Sequence, residues 1–303
     1  MTSERLTVAA IHRYPVKSML GEALDECSIT ADGLPGDRAY AVVDAGDGMV
    51  ASAKNPRKWG ALLGFRAAYL AEPTPDGPLP PVRITFPDGA VRRSDDEDID
   101  AALSATLGRD VKLVSQPPEG KSFEEVWPEI AGLAPEKFIA GTTVGHEATG
   151  EAVSRIPLGA MAPANTFQDL AVLHLITTAT LAKLSALAPD AGFDPRRYRP
   201  NLVLDVPGER FVEEDWVNAE LAVGGQATVS VVMPTMRCVM TTLAQDGLPE
   251  DRQTLRTIAK HNRREITGMG KWACAGVYAS VNGPGVVRRG DEVRAPEAAD
   301  AAG

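Results

Sequence analysis

Met233-Pro234-Thr235-Met236-Arg237-Cys238-Val239-Met240-Thr241-Thr242 follows a run of β-formers, Ala227 to Met233, and changes character at its centre. An apolar strand gives way to a guanidinium, a thiol and then two hydroxyls. An adjacent cation lowers a thiol's pKa and favours the thiolate. A thiolate is both a nucleophile and a soft metal ligand. Free cysteine is also among the most buried residue types, and for an isolated Cys the core role is the commoner one. The rest of the chain decides between them.

Working outward, the pattern is β-rich. Leu6 to His12, Ala39 to Asp44, Leu170 to Ile176, Asn201 to Val206 and Ala273 to Val281 read as strands. Val82 to Phe86 and Ala90 to Arg92, joined by Pro87-Asp88-Gly89, read as a hairpin. Helices are few. One opens at Asp95-Asp96 and stops at Gly108, one is capped by Thr177 or Thr178, and one runs from Pro249 to Asn262. Gln116 to Gly120 reads as a linker. The fold class is therefore mostly β (α+β), two largely antiparallel domains with segregated helices. Residues 1–118 form the first domain, 119–295 the second, and 296–303 a disordered tail.

Composition sets bounds on function. With 31 basic and 41 acidic residues among 303, the net charge of −10 argues against nucleic acid as partner. The three cysteines, Cys27, Cys238 and Cys274, are odd in number and form no C-x-x-C, so neither a disulfide framework nor an iron–sulfur cluster is expected. A reducing cytoplasmic setting follows, with no secretory or membrane segment. The four histidines show no metal-binding spacing, and His174 reads as structural, on the opposite strand face from Asp169. Cys27 and Cys274 read as inert core thiols. Walker and Gly-x-Gly-x-x-Gly patterns are absent.

Four polar clusters lie far apart in sequence yet are chemically alike: Tyr14-Pro15-Val16-Lys17-Ser18, Gly33-Leu34-Pro35-Gly36-Asp37-Arg38, Thr177-Thr178, and Arg197-Tyr198-Arg199-Pro200-Asn201. Each sets cations or hydroxyls at the end of an element. Arg grips phosphate through a bidentate fork, Lys as a point charge, and a helix start with Thr hydroxyls accepts anions. Each also has an ordinary structural use as a turn, a cap or a solvated face. Spacing alone does not bring them together.

These motifs resemble the MOSC family, named after the C-terminal domain of molybdenum cofactor sulfurases. Tyr14 to Ser18, Gly33-Leu34 and Asp37-Arg38 resemble the signature of its N-terminal β-barrel domain. Arg199-Pro200-Asn201, Arg237 to Thr242 and Gly276-Val277-Tyr278 through Gly290-Asp291 resemble that of the MOSC β-barrel domain. By architecture the chain is similar to the amidoxime-reducing members of mitochondria and their bacterial counterparts.

The resemblance implies that Cys238 binds molybdenum and is the catalytic residue. It implies that Lys17, Ser18, Arg38, Thr177, Thr178, Arg199, Asn201 and Arg237 hold the molybdopterin and its phosphate. The implied activity is reduction of N-hydroxylated compounds, with electrons from a separate electron-transfer protein, ferredoxin- or cytochrome-like, and its reductase. Pyridoxal phosphate is not expected, and neither is a membrane anchor. Where many relatives carry an acidic residue two positions after the second Thr, this chain has Ala244, with Asp246 further on. A non-catalytic cofactor or sulfur carrier, and a metal-free thiol enzyme, are the alternatives.

Overall fold

The computed structural model describes residues 5–75, 77–159 and 161–296. Seven strands close into a barrel: β1 (Leu6–Arg13), β2 (Leu173–Thr177), β3 (Leu202–Asp205), β4 (Glu220–Val223), β5 (Ala227–Met236), β6 (Gly270–Gly283) and β7 (Glu292–Arg294). Their order is β2-β3-β1-β7-β4-β5-β6, and β6 pairs back onto β2. Only β2 and β3 run parallel among these seven; the other pairs are antiparallel. Closure leaves no open edge in this ring.

Alternation along the strands fills the interior with Val8, Ile11, Leu173, Leu175, Leu202, Leu204, Leu221, Val229 and Val277. Ile176, Val203 and Ala275 face outward and pack with Leu184 of the helix Thr178–Leu187 and Leu255 and Ile258 of the helix Arg252–His261. Hence β2 is buried on both faces and reads as an unbroken apolar run. The second helix starts at Arg252 under an Asp251 cap, so Pro249 lies outside it. Among the described residues no helix is long and apolar enough to cross a membrane.

The barrel draws on both halves of the chain. β1 sits between β3 and β7, and Glu26–Ile29 pairs with Gly285–Arg288. The expected linker lies in the loop between strands Val111–Val114 and Ser122–Trp127. Residues in between build a smaller unit. There Ala41–Asp44 pairs with Val111–Val114, and Arg66–Tyr69, Val82–Thr85 and Val91–Arg93 form a three-stranded sheet. The helix Ile99–Leu107 covers a core of Val16, Met19, Trp59, Leu62, Phe65 and Ile84. It begins three residues after the Asp95-Asp96 expected to open it and ends, as expected, at Gly108. The segment expected to be a tail falls, beyond Pro296, outside the described residues.

Two local features aim the chain at the site. β5 continues past Pro234 to Met236, three residues beyond the expected stop. It does so because its register on β6 shifts on either side of Pro234, where a bulge relieves the missing N–H. Gly276 sits at φ 79°, and a Cβ there would lie 2.6 Å from His174 Nε2 and 2.6 Å from the Leu175 carbonyl oxygen. Only glycine lets β6 close on β2 beside His174.

Candidate functional site

A cleft of about 760 Å³ opens where the barrel meets the smaller unit. Lys17, Ser18, Arg38, Arg199, Asn201, Arg237 and Cys238 all line it, although they span 222 positions of sequence. Ser18, Arg38 and Arg199 hold positive φ angles of 64°, 51° and 54°, three of the five non-glycine residues so placed among the described residues. Backbone strain of that kind concentrates at ligand sites.

The arginines are fixed from behind. Arg237 donates from Nε to the Thr235 carbonyl (3.2 Å) and from Nη1 to the Tyr198 carbonyl (3.2 Å). Its Nη2 lies 2.9 Å from His174 Nε2. A guanidinium only donates, so Nε2 accepts and His174 is a neutral ring. Burial and the Arg237 charge hold its pKa well below the usual value. Arg38 pairs with buried Asp37 and donates to the Arg199 carbonyl (3.2 Å). Arg199 donates from Nη1 to the Met19 carbonyl (2.6 Å), while its buried Nη2 has no partner. Burial, then repulsion from Arg38, lowers Arg199 to about 10. Both guanidiniums lie over the Tyr14 ring, at 4.8 and 4.2 Å from its centroid.

Other expected residues are spent on scaffolding. Asn201 accepts from the His174 N–H (3.1 Å) and donates to the His12 carbonyl, aligning the starts of β2 and β3. Arg197 gives its donors to the carbonyls of Gly192, Thr241, Leu243 and Pro249, bracing the turn that carries Cys238.

Thr177 and Thr178 are corrections to the expectation: neither lines the cleft. Thr177 caps the helix through the Thr180 N–H (3.0 Å) and donates to Glu213 Oε2 (2.6 Å). Thr178 donates to Asp205 and the Val206 carbonyl. His174 occupies the cleft end of β2, and Thr177 lies three residues along, about 10 Å away at the usual strand rise.

The thiol also departs from the first reading. Cys238 is partly accessible and precedes the tight turn Val239–Thr242, its carbonyl accepting from the Thr241 hydroxyl (3.1 Å). Burial pushes its pKa up to about 11, and the cation that opposes the rise is Lys54. Arg237, adjacent in sequence, is turned toward His174 and Tyr198.

Lys54 and Asp169 are the site residues that the motifs missed. Lys54 Nζ lies 3.4 Å from Glu125 Oε2 and 3.3 Å from Asp169 Oδ2, above the Phe123 ring. Asp169 Oδ1 pairs with Lys17, whose Nζ also donates to the Phe167 carbonyl (3.1 Å). Burial alone would raise the Asp169 carboxyl, but Lys17 and Lys54 hold it well below the usual range. Asp246 faces away, pairing with Arg66 and Arg196, and the Glu147–Glu151 turn packs on Arg57 beside a neighbouring groove. His174 and Asp169, read as lying on opposite strand faces, both line the cleft, because Asp169 sits in the loop before β2.

The MOSC domain family model matches residues 163–294, and the MOSC N-terminal β-barrel domain model matches residues 5–69. This chain belongs to the MOSC family. The cleft of this MOSC protein takes Lys17, Ser18, Arg38, Ser52 and Lys54 from the first matched region, and Asp169 to Tyr278 from the second. The chain is 24% identical over 318 residues to mitochondrial amidoxime-reducing component 1 of Mus musculus, spanning 95% of this chain and 81% of that protein. Among solved structures, the YuaD protein of Bacillus subtilis aligns over 95% of this chain and 93% of its own, at 9% identity and a TM-score of 0.42. YiiM of Geobacillus stearothermophilus aligns over 42% and 55%, at 19% identity and a TM-score of 0.29.

The donor set can be tested against the cofactor associated with MOSC domains. Among the described residues no three His, Cys, Asp or Glu side chains converge as a metal shell. A metal here has to bring most of its ligands with it and take one sulfur from the protein. The unpartnered Arg199 Nη2 beside Arg38 and Lys54 suits an anionic organic ligand. Molybdenum carried by a phosphorylated pterin meets both conditions.

Proposed function

We propose that this protein is a molybdenum-cofactor oxidoreductase that reduces N-hydroxylated compounds such as amidoximes and hydroxylamines. The observation that carries the reading is one soft thiol, Cys238, in a cation-rich cleft whose Arg199 keeps an unpaired, buried donor. Cys238 would be the protein's ligand to the metal. Arg199, Arg38 and the Ser18 hydroxyl would hold the anionic part, while Arg237, Asn201 and Lys17 stabilise the walls. When bound, the cofactor supplies the two-electron chemistry that removes oxygen from nitrogen.

The chain's own residues do the rest. Guanidiniums fixed before binding cost little reorganisation when they meet an anion. A thiol held near 11 gives little free thiolate at neutral pH, which argues against a metal-free nucleophile and leaves metal binding as the step that deprotonates it. Ser52 and Lys54 place the smaller unit directly over the sulfur's turn, with Met240 packed on Ala53 and Leu63.

Electrons would come from a separate electron-transfer protein, in the cytoplasm. The test is turnover: protein loaded in a cofactor-competent host is mixed with a reduced dye and a panel of amidoximes, hydroxylamines and N-oxides. Amine or amidine product is expected. A molybdenum-loaded protein that reduces none of them would instead be the non-catalytic carrier.

A further inference from the structure

Reduction of an N-hydroxylated compound consumes protons as well as electrons. In R–NH–OH + 2 e⁻ + 2 H⁺ → R–NH₂ + H₂O, the N–O bond breaks and oxygen leaves as water. The electrons come singly from a donor protein, so the cleft has to supply the protons. Its arginines keep theirs at any working pH. His174 is neutral, with Nε2 already accepting from Arg237. The Tyr198 and Tyr278 phenols are pushed up by burial.

Two ammonium groups remain, both on Asp169, and their surroundings differ. Lys54 lies between two carboxylates, Glu125 and Asp169. Lys17 has one carboxylate and one carbonyl oxygen, and it faces the charges of Lys54 and Arg38. Its side chain is 5% accessible, whereas that of Asp169 is 32% accessible. The buried amine therefore touches a carboxylate that reaches water.

We propose that Lys17 and Asp169 are the proton-delivering pair of the cleft and that Lys54 and Glu125 are its fixed anchor. Lys17 donates toward the reacting oxygen and is reloaded from solvent through Asp169. Two like groups pushed apart by their environments divide the work in this way. Burial, opposed by Asp169, lowers Lys17 to about 8, while the two carboxylates raise Lys54 well above the usual lysine value. The proposal rests on the reductase reading.

The test compares wild type with Lys17→Arg and Asp169→Asn. Molybdenum content, kcat and KM are measured across pH on loaded protein, and ¹⁵N NMR follows Lys17 Nζ in cofactor-free protein. Wild-type kcat should fall as pH rises through about 8, matching the Nζ titration. Lys17→Arg keeps the charge but cannot release its proton; it should retain molybdenum and KM and lose kcat on the order of 10²-fold. Asp169→Asn removes the charge that supports protonated Lys17, so the fall in kcat moves to lower pH. Wild-type kcat in Lys17→Arg, or an Nζ that titrates like an exposed lysine, overturns the pair. Loss of molybdenum from both Lys17→Arg and Lys17→Met would make Lys17 a cofactor holder and also overturn it. Loaded wild type that reduces no N-hydroxylated compound overturns the reductase reading, and this inference with it.

Discussion

Two buried polar clusters flank β2, and they use buried charge differently. At its start, the cleft gathers Arg38, Arg199, Arg237, Lys17 and Lys54 around Asp169, and leaves one guanidinium nitrogen unpaired. At its end, Glu213 is fully buried and accepts the hydroxyls of Thr177 and Thr180 at the start of the helix Thr178–Leu187. The first cluster keeps excess cation facing a cavity. The second is satisfied by neighbours of its own and borders no described cavity. A buried unpaired donor is costly unless a ligand completes it, so the difference separates a site from a strut.

Gly276→Ala should have the largest effect. The added Cβ meets His174 and the Leu175 carbonyl at a left-handed backbone angle, costing about 3 kcal/mol in urea unfolding and loosening Arg237 through His174. Next, Arg199→Met removes the unpaired donor. Cofactor retention should weaken by about 2 kcal/mol, while thermal stability changes little. Equal loss of both would make Arg199 a strut as well.

Thr177→Ala should cost about 1 kcal/mol of stability by removing a helix cap, with molybdenum content unchanged. Lost molybdenum in a stably folded variant would return Thr177 to the site. The smallest effect belongs to Glu213→Gln. Burial raises the Glu213 carboxyl, so the fold favours its protonated form, and that advantage is lost as pH rises above the unfolded value. The variant should match wild type in acid and exceed it in stability at alkaline pH, as read by urea midpoints.

The same contrast shows what could be read from residues alone. Lys17, Ser18, Arg38, Arg199, Arg237 and Cys238 were legible because cations, hydroxyls and a thiol sit at element ends. Thr177 carries the same signal, yet an element end does not say which end of a strand it occupies. Adjacency misled at Arg237-Cys238, since successive side chains of extended backbone point apart. Lys54 and Asp169 were silent because their partners, Glu125 and Lys17, lie 71 and 152 positions away. The strands were legible from alternation, but not that β1 closes a barrel made mostly by the second half.

Molybdenum quantification in wild type and Cys238→Ala, both produced in a cofactor-competent host, tests the central claim most directly. The account predicts stoichiometric molybdenum in wild type and none in Cys238→Ala, with the same unfolding midpoint. Equal molybdenum in the two proteins would contradict it.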